Sequence, residues 1–323
     1  MLKRLLIILA AFSVIPAPAL AYSDVVAFGA SLSDSGAFAY LEGNDVDCPP
    51  PFYSGCRFTN GPTWVENLAA AFGRSANTAY GPGGGTNYAI GGERSDELFA
   101  SPSAVNGGQI PSFATDVLGV ADPSALYVIY AGGNNRLQDN PTSTFPAESA
   151  AFDIVRAVTD LSAMGATDFL ISNLASSDAW ANLFNETLAG GLDDLSGANP
   201  HLDIRRLDAQ ALFLDMVLSP GSYGLTNVTS ACINRATRTI CSNPDEYLFW
   251  DSIHPTARGH EILAEAALAV VPEPNTALLV GMGFAVLSGS RRARGPGRGR
   301  VPPSEPSCRM SNIRHASRNP KFF

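Results

Sequence analysis

Val25-Val26-Ala27-Phe28-Gly29-Ala30-Ser31-Leu32-Ser33-Asp34-Ser35-Gly36 is the stretch from which the fold is read. The apolar run Val25 to Phe28 has the length and character of a buried strand. Gly29 allows a sharp turn where that strand stops, and Ser31 falls just past its carboxyl end. Ligands of open α/β sheets bind outside the carboxyl ends of strands. A serine at that place is a candidate nucleophile, and it needs a base to become one.

Upstream, Met1 to Ala21 reads as a secretory signal. Lys3 and Arg4 give the positive start, Leu5 to Val14 the apolar core, and Ala19-Leu20-Ala21 a small-x-small cleavage site. The charges of the 323 residues are unevenly spread. Between Tyr22 and Val270 ten arginines face 28 carboxylates, a net of −18 with histidine neutral. Such a surface repels phosphate backbones, which argues against a nucleic-acid partner. Tyr22 to Val270 is long enough for one α/β domain with a full core. Five cysteines are present. Cys48 lies near Cys56 and Cys232 near Cys241, and export makes two local disulfides the expected use. The spacings and the lack of adjacent histidines argue against zinc.

Downstream of the serine, Tyr40 to Gly61 is a Pro/Gly/Asp-rich loop pinned by Cys48 and Cys56. Pro62 opens a helix with Val65, Leu68, Ala69 and Phe72 on one face, closed by Gly73. Gly81 to Gly92 is rich enough in glycine for backbone amides to approach a ligand, and it is not a P-loop, because no Gly-Lys-Ser/Thr follows. Ala125 to Ala131 reads as a central strand running into Gly132-Gly133-Asn134-Asn135. Asn134 is either a turn residue or an amide donor. Ala147 to Met164 is helical by its spacing, and Phe169 to Ile171 is a strand. Trp180 to Pro200 lacks clear periodicity and is expected to be a loop or short helical cover. Ile204 to Leu207 is a further strand, and Ala209 to Leu218 a helix. The alternation predicts a parallel sheet with helices on both faces. Asp251 and His254 stand three apart before a helix that Pro255 can open. His260 falls inside that helix as a packing or surface residue.

These segments together resemble the GDSL/SGNH family of serine esterases and lipases over roughly Val25 to Val270. Phe28 to Gly36 is similar to the family's first block, with Ser31 as nucleophile. Asn87-Tyr88-Ala89-Ile90-Gly91-Gly92 matches its glycine block, Gly132-Gly133-Asn134 its Gly-x-Asn block, and Asp251 to Pro255 its Asp-x-x-His-Pro block. Arg57 to Pro62 with Trp64 looks like the linking segment of secreted members. The resemblance implies a three-layer α/β/α sandwich with a mostly parallel, flavodoxin-like sheet. It implies acyl transfer on a small ester or an acylated lipid or polysaccharide. Ser31 would attack, His254 take its proton, and Asp251 orient the imidazole. The oxyanion would rest on the amides of Ser31 and Gly92 and on the side chain of Asn134. No metal or organic cofactor is called for. Two positions depart from the family: Ala30 and Asn135 stand where aspartates are usual. They are the support for a third reading, a non-catalytic surface protein, beside an esterase or lipase and a polysaccharide O-acetyl esterase.

The far end is another module. Pro272-Glu273-Pro274, the apolar run Thr276 to Leu287 and Arg291-Arg292-Ala293-Arg294 resemble the PEP-CTERM sorting signal of Gram-negative bacteria. This implies an exosortase as partner and transient inner-membrane anchoring, with the arginines on the cytoplasmic side. The run is shorter than the ~20 residues that span a bilayer comfortably. The expected organisation is therefore a signal over 1–21, a hydrolase domain over 22–270, a sorting segment over 271–294 and a disordered basic tail over 295–323.

Overall fold

The computed structural model describes residues 22–43, 52–104, 106–138 and 146–271. The expected secretory signal, Cys48 with its expected bridge to Cys56, and everything after residue 271 lie outside them.

Four parallel strands form the central sheet in the order β1 (Val25–Gly29), β2 (Leu126–Tyr130), β3 (Asp168–Ser172) and β4 (Asp203–Leu207). Every residue of β1 and β2 is buried, as continuous apolar runs in a two-faced parallel sheet require. The glycine block supplies the edge. Ala27 N donates to Thr86 O, Tyr88 N to Ala27 O and Ile90 N to Gly29 O, so residues 86–90 run alongside β1. The chain thus steps from β1 outward to this edge and then back across β1 to β2. The direction of winding reverses at β1, which makes its carboxyl end the switch point where ligands bind.

Eight helices surround the sheet among the described residues: α1 (Ala37–Glu42), α2 (Trp64–Ala71), α3 (Gln109–Asp116), α4 (Gly133–Gln138), α5 (Ala147–Ala163), α6 (Ala179–Ala198), α7 (Ala209–Leu218) and α8 (Ala257–Val270). Both faces are covered. Tyr130 meets Trp64 of α2 while Tyr127 meets Phe113 of α3, and residues three apart on a strand point to opposite faces. Helix α8 packs on α2, and α6 on α5. This is the expected three-layer α/β/α arrangement.

Two local readings need correction. Helix α2 begins at Trp64, behind a Thr63 cap, rather than at Pro62. Thr63 caps Glu66 N while the Glu66 carboxylate reaches back to Thr63 N, a capping box. Trp180 to Pro200 is no loop, for α6 runs twenty residues from its Asp178 cap. Its buried stripe is Ala181, Phe184, Leu188 and Leu192. Gly191 lets it lie close on α5, since a Cβ there would come 2.7 Å from Val155 Cγ2.

A smaller layer follows α7. Strand β5 (Asn227–Ala231) pairs with β8 (Tyr247–Phe249), and β6 (Ile233–Asn234) with β7 (Thr239–Ile240). The expected Cys232–Cys241 disulfide closes the β6–β7 hairpin, with Cα atoms 4.9 Å apart. Cys232 N and Ile233 N donate to Phe249 O and Trp250 O, which fixes the hairpin beside the chain entering Asp251.

Candidate active site

Gly29 ends β1 because nothing larger fits. A Cβ there would lie 2.2 Å from Tyr130 O. The Gln109 side chain holds both backbone groups of Gly29, accepting from its N at 2.8 Å and donating to its O at 2.7 Å. The chain then turns, Ser33 N and Asp34 N both donating to Ala30 O, and Ser31 stands at the head of the turn.

His254 reaches Ser31 from 223 residues away, with Nε2 2.9 Å from Ser31 Oγ. Its Nδ1 is 2.8 Å from Asp251 Oδ2 and 3.0 Å from Oδ1. An ionised carboxylate only accepts, so Nδ1 carries the proton and Nε2 is left to accept from the serine hydroxyl. Asp251 Oδ1 also takes the backbone N–H groups of Ile253 and His254. Burial pushes the Asp251 carboxyl up, but the hydrogen bond and charge of His254 with those two amides outweigh it and hold it at about 2. Phe58 lies against the imidazole, ring centroids 5.1 Å apart.

The glycine block and the asparagine come to the same place. Gly92 adopts φ 83°, a left-handed backbone that favours glycine. Asn134 Nδ2 donates to Glu93 O at 2.8 Å, which fixes its amide beside that turn and leaves its second N–H. Asn87 ties the block to the serine loop, donating to Ser33 O and Ser35 Oγ. The two unusual residues each have a physical account. Asn135 is buried and its Oδ1 accepts from Ser95 N at 2.8 Å, so an amide oxygen does the accepting that a carboxylate could do. Ala30 lines the apolar cavity described below, where a carboxylate would bring an unpaired charge.

Several groups around the site escape the sequence reading. Asp34 is fully buried and gathers Gly36 N, Ala37 N, Phe38 N and Gly91 N, so one carboxylate joins the serine loop to the glycine block. Burial drives its carboxyl up to about 6 against those four donors. Glu93 is likewise raised by burial to about 7 against hydrogen bonds from Ser101 and Gln109. Tyr53 donates its hydroxyl to Asp251 Oδ2 at 2.8 Å. Only Asp34 left a signal: an acidic residue just ahead of Gly36 and an apolar helix start. His260 is buried, and its Nδ1 accepts from Trp64 N at 3.2 Å. Burial, helped by His254, lowers it to about 3 and keeps it neutral. Among the described residues no group of three or more His, Cys, Asp and Glu is placed to hold a metal ion.

A cavity of about 490 Å³ opens beside Ser31, Asn134 and His254. Its walls are mostly hydrocarbon, from Leu137, Leu174, Leu212, Phe213, Met216 and Ile253. A second opening lies on the far side of His254, between Gly91, Gly92 and Arg235.

A serine past the first strand, a paired imidazole and a glycine block at the switch point are features of one class of protein. The chain belongs to the GDSL-like Lipase/Acylhydrolase family, whose model matches residues 25–267. A second family model, the PEP-CTERM protein-sorting motif, matches residues 270–292. Esterase EstA of Pseudomonas aeruginosa is 29% identical over 319 residues, covering 78% of this chain and 47% of its own length. Esterase EstA of Pseudomonas putida gives the same figures. GDSL esterase/lipase EXL2 of Arabidopsis thaliana is 34% identical over 93 residues, covering 25% of this chain and 24% of its own. The chain spans about half the length of the two Pseudomonas relatives. A solved structure of a lipolytic G-D-S-L family member from Veillonella parvula covers 76% of this chain and 96% of its own, with TM-score 0.42 and 18% identity.

Proposed function

We propose that this protein is an exported serine ester hydrolase working through an acyl-enzyme. The observation that carries the reading is the 2.9 Å contact between Ser31 Oγ and His254 Nε2, backed by the 2.8 Å contact from Nδ1 to Asp251. Nucleophile, base and orienting carboxylate are in hydrogen-bond reach of one another. Ser31 Oγ attacks the ester carbonyl carbon as its proton passes to Nε2. The tetrahedral oxyanion is held by the amides of Ser31 and Gly92 and the free N–H of Asn134. Collapse expels the alkoxide, which takes the proton from His254. Water then attacks the acyl-serine by the same route, with His254 again as base, and releases the acid. Each oxyanion donor is worth ~3–4 kcal/mol of barrier.

The hydrocarbon cavity receives the acyl chain. Its volume and lining favour a chain longer than acetyl over removal of acetyl groups from a polysaccharide. The esterase names of the Pseudomonas relatives agree with this chemistry. Residues 270–292 address the exported protein to an exosortase at the inner membrane, where it is anchored until cut.

Ser31→Ala tests the chemistry. It should abolish turnover of p-nitrophenyl butyrate and labelling by a fluorophosphonate probe, and undiminished turnover would refute the assignment. The intact mass of the exported wild type tests the sorting step, because a C-terminus retained past Arg294 would overturn it.

A further inference from the structure

The Asp251 carboxylate has a partner that the acyl-transfer scheme does not use. Oδ1 is occupied by two backbone amides, and Oδ2 accepts from His254 Nδ1 at 2.8 Å. The same Oδ2 also accepts the phenolic hydroxyl of Tyr53 at 2.8 Å, from 198 residues earlier. The two donors converge on one oxygen, so phenol and imidazole share a single acceptor. Tyr53 is only 5% exposed. Its ring packs in a cluster with Phe52, Cys232, Ile233 and Trp250, against Cys56 and Cys241. The hairpin closed by Cys232–Cys241 is thus the wall behind Tyr53. That wall is hydrogen-bonded to Phe249 and Trp250, the residues that lead into Asp251. Phenol and carboxylate are fixed to one small scaffold, apart from the parallel sheet that carries Ser31.

We propose that Tyr53 is a positioning residue for Asp251 and, through it, for His254, and that the disulfide-closed hairpin exists to hold it there. The inference rests on the reading of Ser31 and His254 as nucleophile and base. The hydroxyl locks the carboxylate in the rotamer that points Oδ2 at Nδ1. It also draws negative charge away from that oxygen and tempers the attraction of Asp251 for the imidazolium. The Tyr53 ring supplies packing and its oxygen supplies aim, so replacing tyrosine by phenylalanine separates the two.

The test uses the full chain with Tyr53→Phe, assayed on p-nitrophenyl butyrate across pH. A hydrogen bond to a charged group predicts a loss in kcat of roughly ten- to hundredfold, with KM unchanged. The acidic limb of the kcat/KM profile should move to higher pH, because the carboxylate without its phenol stabilises the imidazolium more strongly. A merely structural tyrosine would lower the yield of folded protein and leave that limb in place. The Cys232→Ser/Cys241→Ser variant should lose kcat in the same direction, and adding Tyr53→Phe to it should cost little more. If Tyr53→Phe keeps wild-type kcat and an unmoved acidic limb while Ser31→Ala is inactive, the positioning role is wrong and the nucleophile assignment stands. If Ser31→Ala remains active, the underlying reading is what has failed.

Discussion

Asp34→Asn separates stability from catalysis at this site, and linkage fixes the size of the effect. The wild-type carboxyl moves from its ordinary 3.8 to about 6 on folding, because burial outweighs the four amides that bind it. That displacement is worth about 3 kcal/mol. The sign follows from which state holds the proton. Above pH 3.8 the unfolded carboxyl is ionised, while the folded site keeps its proton until about pH 6. The stability tied to this group is therefore full below the lower value and is lost as pH rises through the upper one. Of the ~3 kcal/mol, about 2 falls between about pH 4.5 and about pH 7.5. Asparagine does not titrate. Urea unfolding at those two pH values should find Asp34→Asn gaining about 2 kcal/mol relative to wild type on going from the acid to the neutral condition.

Activity should move the other way. The asparagine oxygen can still serve Gly36 N and Ala37 N, but its NH2 then faces Phe38 N and Gly91 N, two donors that the carboxylate had satisfied. Gly91 precedes Gly92, the proposed oxyanion donor, and its release loosens the block that Asp34 ties to the serine loop. A drop in kcat at neutral pH, in a variant whose relative stability has risen there, is the expected pair of results. Parallel stability profiles for the two proteins would refute the linkage. An unchanged kcat would refute the idea that a costly buried carboxylate is kept for its grip on Gly91.

Two further substitutions probe the walls and the frame of the site. Met216→Trp fills part of the hydrocarbon cavity, so turnover of p-nitrophenyl octanoate should fall at least about tenfold, the worth of ~1.4 kcal/mol, while the acetate ester is hydrolysed as before; equal losses on both would count against an acyl cavity. His260→Ala leaves Trp64 N without its acceptor and opens a void beneath α2 and α8, a loss of about 3 kcal/mol that should lower Tm by about 6–12 °C. The stability carried by neutral His260 is full above pH 6.5 and is lost as pH falls towards 3, so the acid limb of the wild-type unfolding profile should flatten in the same variant.

What was legible in the sequence was what repeats locally. Strands β1 to β4 show as short apolar or alternating runs, and α5 and α7 as periodic stretches between turn residues. Ser31, Gly92, Asn134, Asp251 and His254 stand in short blocks whose order along the chain could be matched. The full length of helix α6 is not legible, because Gly190 and Gly191 sit in its middle and lower its helix propensity, whereas Gly191 admits Val155 of the neighbouring helix. The edge made by residues 86–90 shows no strand signal, since glycines at 83–85 and 91–92 flank it on both sides, although its amides pair with β1. Tyr53, Glu93 and Gln109 left no signal. Their partners lie 198, 16 and 80 residues away, and no local period encodes a contact of that reach.

Residues so distant meet because two helices cap each other across the molecule. Helix α2 is tied to the serine loop by Trp64 Nε1, which donates to Ser33 Oγ at 3.1 Å. The backbone N of that same Trp64 donates to His260 of α8, and Ala257 N at the start of α8 donates to Asn60 just ahead of α2 at 2.8 Å. His260 of α8 therefore serves the amino terminus of α2, and Asn60, in the chain leading into α2, serves that of α8, where unpaired amides would otherwise be buried. Gly61 permits the approach, as a Cβ there would lie 2.7 Å from that of Ala257. Helix α8 begins just past His254, behind a Thr256 cap that is itself bonded to Tyr247 O and Leu248 O. From Ser33 to His254 the path thus runs through the hydrogen bonds of Trp64, His260 and Asn60 and through two helices packed on each other. In the proposed mechanism such a path would serve to hold the serine and the imidazole within the ~0.5 Å that a catalytic pair tolerates. The segment from Asn60 to Trp64 therefore links the Ser31 loop to the helix that follows His254, although none of its residues lines the cavity proposed to receive the acyl chain.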